Sequence, residues 1–210
     1  MEFQVLSENQ LWNEELVKDI PKHWEKHDDL IIFPINSFQN PIWSNFEGGG
    51  FWQKVCDILK VTRLAKKSVI INDDFRSPKV QMIFSKSNCE NVWATRKENG
   101  IFYTWNVTKS MFSVGNITEK QRIAKLDCKG QTIVDLFAGI GYFTLTYLIH
   151  AQAECVYACE WNPEAVKALK LNLAKNKIED TKCIVLEGDN RKNCPTDIAD
   201  HVNLGLLPSR

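Results

Sequence analysis

The feature that most constrains the fold of this 210-residue chain is the alternation of apolar runs with helical patterns after residue 130. Four runs predict buried strands, at residues 132–136, 155–159, 183–186 and 201–207. Helical patterns follow the first two, at 142–150 and after Asn162-Pro163, where proline suits the first helical position. Strands that alternate with helices through short loops predict an α/β fold with a parallel, doubly wound sheet.

The first 110 residues predict a smaller α+β unit. Strand-like runs occur at 80–84, 92–96 and 101–107, and residues 51–60 have helical spacing. Asn99-Gly100 between the last two strands is typical of a two-residue type I′ hairpin, because both residues tolerate positive φ. We therefore expect two domains, a small one at 1–110 and the parallel-sheet domain at 111–210.

Composition excludes several classes of protein. The chain is 44% apolar and 25% charged, ordinary values for a globular protein. No apolar run approaches the roughly 18–20 residues of a membrane span, and the first residues lack the apolar core of a secretory signal. The seven cysteines include no C-x-x-C pair and no Cys/His cluster. We expect reduced thiols, a cytoplasmic location and no metal site.

Charge is unevenly distributed along a chain whose formal net charge is zero. Residues 1–58 carry 4 basic and 10 acidic side chains, 59–130 carry 14 and 6, and 131–210 carry 8 and 10. The basic middle segment could contact a polyanion or form an ordinary solvated face, and charge alone leaves both open. The candidates for contact with RNA in this segment are Arg63, Lys66, Lys67, Arg76 and Lys79.

Acidic residues stand at the ends of the first three predicted strands. Asp135 ends the first, Glu160 ends the second, and Asp189-Asn190 follows the third. In open α/β sheets ligands bind at the carboxyl ends of the strands. A carboxylate at the second strand end accepts hydrogen bonds from two ribose hydroxyls, and the third position is where a nucleobase edge would lie.

A glycine-containing turn follows the first predicted strand. Gly139 and Gly141 let the backbone approach a ligand closely, although a G-x-G by itself is a weak signal. Thr144 stands where the dinucleotide pattern G-x-G-x-x-G needs its third glycine, and no P-loop is present. The pattern therefore favours S-adenosylmethionine over NAD or ATP.

Three segments resemble class I S-adenosylmethionine-dependent transferases that act on tRNA: 134–144 (VDLFAGIGYFT), 158–163 (ACEWNP) and 188–192 (GDNRK). More closely, 111–120 (MFSVGNITEK) and 202–209 (VNLGLLPS) resemble the eukaryotic tRNA wybutosine-synthesizing protein 2 family. The resemblance covers about residues 20–209. It implies a Rossmann-like class I methyltransferase fold, here with an incomplete parallel sheet of about four strands, preceded by the small α+β domain.

The resemblance also implies an activity and a partner. The 3-amino-3-carboxypropyl group of S-adenosylmethionine would pass to C7 of 4-demethylwyosine at position 37 of phenylalanine tRNA. The partner would be the anticodon loop of that tRNA, and the enzyme would be a monomer. No general base can be named from the sequence.

Site roles follow from the same resemblance. Ser113 and Lys120 would contact the methionine end of the cofactor, Glu160 the ribose, and Asp189 with Asn190 the adenosine. The full set of cofactor-binding candidates is Ser113, Lys120, Asp135, Gly139, Gly141, Glu160, Asp189 and Asn190.

Two alternatives stay open. The related tRNA guanine-37 N1-methyltransferases carry Asn-Leu-Pro after the fourth strand and an arginine in the segment that matches 112–117. This chain has Leu206-Leu207-Pro208 and Gly115-Asn116 instead. Since transfer to guanine N1 needs polar groups to manage its proton, these departures weigh against methylation.

The second alternative is an inactive cofactor- or RNA-binding module. A class I sheet normally has seven strands, and this chain ends at Arg210, just after the fourth predicted strand. Such a chain resembles a C-terminally shortened product. On this alternative the chain would fold poorly, bind S-adenosylmethionine weakly and transfer nothing.

Overall fold

The computed structural model describes residues 14–46, 50–68, 80–87 and 91–205. The chain divides into two compact units, Met1–Ala94 and Thr95–Arg210. This division falls earlier than the boundary at residue 110 expected from the sequence.

The first unit is built on a four-stranded sheet in the order β1-β2-β3-β4. Its strands are β1 (Glu25–His27), β2 (Leu30–Phe33), β3 (Arg63–Lys67) and β4 (Val80–Ser85). The central strands β2 and β3 run parallel, and the two outer pairs are antiparallel. Helices α1 (Glu14–Asp19) and α2 (Gly50–Leu59) and a 3₁₀ turn at Pro41–Phe46 contribute to the core of this unit.

Aromatic rings fill much of that core. The ring of Phe38 meets Phe33, Trp43 and Trp52 edge to face, with centroids 5.0, 5.1 and 5.2 Å apart. Edge-to-face contacts of this kind stabilise a core in addition to the stability gained by burying the rings.

The second unit contains a parallel sheet in the order β10-β7-β8-β9, with every neighbouring pair parallel. Its strands are β7 (Thr132–Asp135), β8 (Cys155–Glu160), β9 (Cys183–Glu187) and β10 (His201–Asn203). Its helices are α3 (Ile117–Ile123), α4 (Thr144–Ile149), α5 (Pro163–Lys175) and α6 (Asn190–Asn193). The predicted parallel α/β sheet is confirmed, and the first strand along the chain lies between two others.

A two-stranded hairpin precedes this sheet, formed by β5 (Trp93–Glu98) and β6 (Ile101–Asn106). At its turn Asn99 has φ 48° and Gly100 has φ 81°. Both central residues are therefore left-handed, as a type I′ turn requires, and the predicted turn is confirmed.

Two asparagines of α5 attach this hairpin to the second unit. Asn172 accepts a hydrogen bond from the Thr104 N–H (2.6 Å) and donates to the Ile140 carbonyl (2.9 Å). Asn176 accepts from the Phe102 N–H (2.9 Å) and donates to the Phe102 carbonyl (2.7 Å). These amides satisfy backbone groups of β6 as a neighbouring strand would. The hairpin therefore lies with the second unit, and this explains the earlier boundary.

No helix in the described part of the chain is long and apolar enough to cross a membrane. The described residues likewise contain no group of three or more His, Cys, Asp or Glu side chains that could hold a metal ion.

Candidate cofactor-binding site

The loops after β7, β8 and β9 meet at the carboxyl edge of the parallel sheet, where α/β folds bind ligands. The Gly139 N–H donates to Glu160 Oε2 (2.7 Å), and the Gly188 N–H donates to the Glu160 carbonyl (2.9 Å). The Asn190 side chain donates to the Leu136 carbonyl (2.7 Å). The three strand ends predicted to form the site are thus joined by hydrogen bonds.

Glu160 is the half-buried carboxylate at the centre of this edge. Its Oε2 accepts from Gly139, and its Oε1 accepts from the Asn162 N–H at 2.8 Å. Burial raises the pKa of Glu160, and these backbone hydrogen bonds partly offset that rise. Because an ionised carboxylate has about four acceptor sites, Glu160 keeps acceptor capacity for a ligand while its orientation is fixed.

The two glycines of the loop after β7 permit different packing contacts. Gly139 and Gly141 have φ values of +57° and +97°, in the left-handed region. A Cβ on Gly141 would lie 2.8 Å from Leu169 Cδ1 of α5, and one on Gly139 would lie 3.1 Å from the Tyr142 ring. Gly141 therefore allows close packing of α5 on the loop, and Gly139 allows close packing of Tyr142.

Asp135 is fully buried beneath the loop. Its Oδ2 accepts from the Thr144 hydroxyl (2.7 Å), and its Oδ1 accepts from the Asn203 amide (2.8 Å). Burial raises the pKa of this carboxyl group, and the hydrogen bonds partly offset the rise. These contacts correct the expectation that Asp135 touches the cofactor, because both oxygens serve to tie β7 to α4 and β10.

Asp189 caps the short helix α6. It accepts from the Arg191 N–H (3.0 Å) and pairs with the Arg191 guanidinium (2.6 Å). The side-chain hydrogen bond from Arg191 is the main cause that lowers the pKa of Asp189 to about 2. Asp189 is therefore an ionised acceptor at neutral pH, at the strand end where a nucleobase edge was expected.

Tyr142 fixes the segment that contains Ser113 beside the glycine loop. Its hydroxyl accepts from the Ser113 N–H (3.2 Å) and donates to the Met111 carbonyl. Burial raises the pKa of Tyr142, and the nearby carboxylates of Glu160 and Glu98 raise it further. The Tyr142 side chain thus links the segment that contains Ser113 to the glycine loop.

Lys120 is buried and not a surface lysine. Its ammonium forms an ion pair with Glu98, and the two side chains are 5% and 8% exposed. The rings of Tyr103, Phe112 and Tyr142 surround Nζ, with centroids at 5.0, 5.3 and 5.8 Å. No sequence pattern marks Glu98 as a site residue, since an acidic residue beside a hairpin turn is ordinarily solvated.

Arg63 is the clearest departure from the expected RNA-binding residues. It is only 5% exposed. Its Nε donates to Asp29 Oδ2 (2.9 Å), and its Nη1 donates to the carbonyls of Asn91 (2.6 Å) and Trp93 (2.8 Å). This burial corrects the expectation that Arg63 faces RNA, because its guanidinium holds parts of the first unit together.

The other basic residues expected to contact RNA differ in their surroundings. Lys66 donates to the Ser37 carbonyl at 3.0 Å, and the exposed Lys67 pairs with Glu25. Arg76 and Lys79 lie outside the described residues.

The parallel sheet, the left-handed glycine turn and the acidic second strand end define a class I S-adenosylmethionine-dependent methyltransferase fold, which confirms the predicted fold class. The chain belongs to the family described as the TRM5/TYW2 methyltransferase domain, whose model matches residues 94–209. Residues 4–88 match a second model, the TYW2 N-terminal domain, so the resemblance to the tRNA wybutosine-synthesizing protein 2 family is confirmed.

Individual relatives agree with this assignment. The tRNA wybutosine-synthesizing protein 2 homolog of Danio rerio is 49% identical over 205 residues, which cover 98% of this chain and 49% of that protein. The Homo sapiens homolog is 46% identical over 198 residues, covering 94% of this chain and 43% of that protein. This chain therefore spans about half the length of the curated relatives it matches.

A solved structure is similar in fold to this chain. The structure described as P. horikoshii TYW2 in complex with MeSAdo has a TM-score of 0.75 and 27% sequence identity. The match covers 99% of this chain and 71% of the P. horikoshii chain.

We predict that Gly141→Ala destabilises the protein by about 2–4 kcal/mol, because it combines a left-handed backbone with overlap against Leu169. Gly115→Ala is the matched control: a Cβ there meets no atom within 4 Å, and its φ is not left-handed. The control should change the free energy of unfolding by less than about 0.5 kcal/mol. Urea denaturation measures both, and equal effects would contradict the role given to Gly141.

Proposed function

We propose that this chain carries the transferase site of a tRNA wybutosine-synthesizing protein 2. Its reaction would move the 3-amino-3-carboxypropyl group of S-adenosylmethionine to C7 of 4-demethylwyosine at position 37 of phenylalanine tRNA. The observation that carries the proposal is the Glu160 carboxylate, held by the Gly139 N–H at the carboxyl edge of the sheet, in a chain of this family. Methylthioadenosine, bound by the P. horikoshii relative, is what S-adenosylmethionine becomes after losing that group.

The residues at this edge fit S-adenosylmethionine in charge and in hydrogen-bonding capacity. Glu160 has acceptor capacity for ribose hydroxyls, and Asp189 is an ionised acceptor suited to an exocyclic amino group. Lys120 offers an ammonium to the methionine carboxylate, and its unfilled donors support a ligand there. Together these groups account for the ribose, the base and the amino acid end of one molecule.

The chemistry of the step would depend on position. Bound S-adenosylmethionine supplies a sulfonium with three electrophilic carbons, and the carbon in line with the nucleophile reacts. In the proposed reaction a C–C bond forms at C7, a C–S bond breaks, and the ring proton leaves. Glu160 at the ribose and Lys120 at the carboxylate would hold the two ends of the molecule and so set which carbon faces the base.

A face of the hairpin in the second unit is suited to contact RNA. The half-buried Phe102 ring has the Lys97 ammonium at 5.0 Å and the Lys175 ammonium at 5.9 Å. Lys175 also lies within hydrogen-bond distance of Thr95 (3.1 Å) and Thr104 (3.2 Å). Cations flanking an aromatic ring combine phosphate attraction with a stacking surface for a base. We call Phe102, Lys97 and Lys175 the Phe102 patch. In the proposed tRNA surface this patch takes the place of Arg63.

The proposed reaction is tested with hypomodified phenylalanine tRNA and doubly labelled S-adenosylmethionine. One label is on the methyl group and the other on the aminocarboxypropyl group. We expect only the aminocarboxypropyl label in the tRNA. Transfer of the methyl label would favour the guanine-37 N1-methyltransferase alternative. Transfer of neither label, with nucleoside binding intact, would favour an inactive binding module.

We predict that Glu160→Gln lowers the affinity for S-adenosylhomocysteine about 10- to 100-fold, since charged hydrogen bonds contribute about 1.5–3 kcal/mol. In the unaltered protein the affinity should fall as pH falls through the raised pKa of Glu160, because protonation removes the charge. The variant should lack this pH dependence. Titration calorimetry measures both effects.

Glu187→Gln is the matched control for this variant, because Glu187 is exposed and lies opposite Glu160 in the register of β9. It should leave the affinity unchanged. Equal losses in the two variants would contradict the ribose contact.

We predict that the double charge reversal Lys97→Glu/Lys175→Glu weakens tRNA binding and reduces the slope of log affinity against log salt by about 1.5–2, as expected for two lost phosphate contacts. Lys170→Glu, an exposed reversal on the same helix α5, is the control and should change the slope much less. Binding of tRNA at several salt concentrations measures the slope. An unaltered slope in the double variant would show that the Phe102 patch does not contact RNA.

A further inference from the structure

Lys120 and Glu98 form a buried ion pair inside an aromatic box. The ammonium and the carboxylate are in contact, and only 5% and 8% of their side chains are exposed. The rings of Tyr103, Phe112 and Tyr142 enclose the ammonium at 5.0 to 5.8 Å from their centroids. Because the faces of aromatic rings attract cations, these three rings stabilise positive charge at this position.

The hydrogen-bonding capacity of this pair is only partly used. Beyond its ion pair, Lys120 Nζ has no hydrogen-bond partner among the described residues, and neither has Glu98 Oε2. Glu98 Oε2 forms a longer ion pair with Arg96 Nε, at 3.8 Å. An ammonium has three donors and a carboxylate about four acceptor sites, and buried charges are normally fully hydrogen-bonded. The pair can therefore accept one further anionic group at Lys120 and one further cationic group at Glu98.

The pair lies close to the nucleoside end of the candidate site. The Tyr142 ring is 5.8 Å from Lys120 Nζ, and the same ring packs 3.1 Å from the position of a Cβ on Gly139. Gly139 in turn donates to Glu160 at 2.7 Å. One aromatic ring thus separates the charged pair from the loop that holds the ribose-binding carboxylate.

We propose that Glu98 and Lys120 form a two-point receptor for the zwitterionic α-amino acid group of the bound nucleoside. Lys120, which has donors left on its ammonium, contacts the carboxylate, and Glu98, which has an unpartnered Oε2, contacts the α-ammonium. This inference rests on the proposed function. Because Glu98 neutralises Lys120, a zwitterion binds without adding net charge to the buried site, whereas an isolated carboxylate or ammonium would add one.

The receptor distinguishes the donor from the product. Transfer of the aminocarboxypropyl group removes both charges of the amino acid from the nucleoside. Methylthioadenosine therefore keeps the contacts at Glu160 and Asp189 but loses those at Lys120 and Glu98. The contacts at Lys120 and Glu98 therefore strengthen binding of the donor. The product cannot make them and so dissociates more readily.

Three nucleosides and three variants of the 210-residue chain test this receptor by titration calorimetry. S-adenosylhomocysteine carries both charges, its decarboxylated analogue carries only the ammonium, and methylthioadenosine carries neither. Glu98→Gln should weaken binding of S-adenosylhomocysteine and of the decarboxylated analogue about 10-fold or more. Lys120→Met should weaken binding of S-adenosylhomocysteine but not of the analogue. Methylthioadenosine should bind all proteins within about twofold.

The double variant Glu98→Gln/Lys120→Met keeps the test valid if a single variant leaves a buried charge unpaired and misfolds. It removes both charges at similar volume, and it should bind S-adenosylhomocysteine and methylthioadenosine with nearly equal affinity. If it kept the full preference for S-adenosylhomocysteine, the pair would be structural and this inference alone would be overturned. If the unaltered protein bound neither nucleoside, the proposed function would fail and this inference with it.

Discussion

The second unit depends on the hydrogen bonds that the buried Asp135 accepts from Thr144 and Asn203. These contacts join the end of β7 to the start of α4 and to β10, so that the loop between them has a fixed path. Along this path Gly139 presents its N–H to Glu160, and Gly141 packs against α5. A binding group is effective only when the residues behind it are fixed, and Asp135 supplies that support.

The candidate site combines acidic groups of different character. Glu160 is half-buried, and its pKa is raised by burial, whereas Asp189 is held ionised by Arg191. Lys120 and Glu98 add a charged pair enclosed by aromatic rings. In the proposed function these groups would give separate contacts to the ribose, the base and the amino acid end of S-adenosylmethionine.

Counting charges along the sequence was not enough to locate the proposed RNA surface. Residues 59–130 are strongly basic in the sequence, yet Arg63 lies inside the first unit and donates to Asp29 and to backbone carbonyls. Lys97 and Lys175 are far apart in the sequence but flank the same Phe102 ring. Their proximity arises because two asparagines of α5 bind the backbone of β6.

The sequence by itself determined the parallel sheet, the type I′ turn at Asn99-Gly100 and the position of Glu160 at a strand end. These features follow from local periodicity, from the backbone freedom of single residues, and from the rule that parallel strands share one carboxyl edge. Tertiary structure alone decided the supporting role of Asp135, the burial of Arg63 and the pairing of Lys120 with Glu98. Each of these depends on which distant groups reach the same point and exclude water. Local patterns carry no information about such contacts, because the same side chain serves equally well in solvent or in a buried pair.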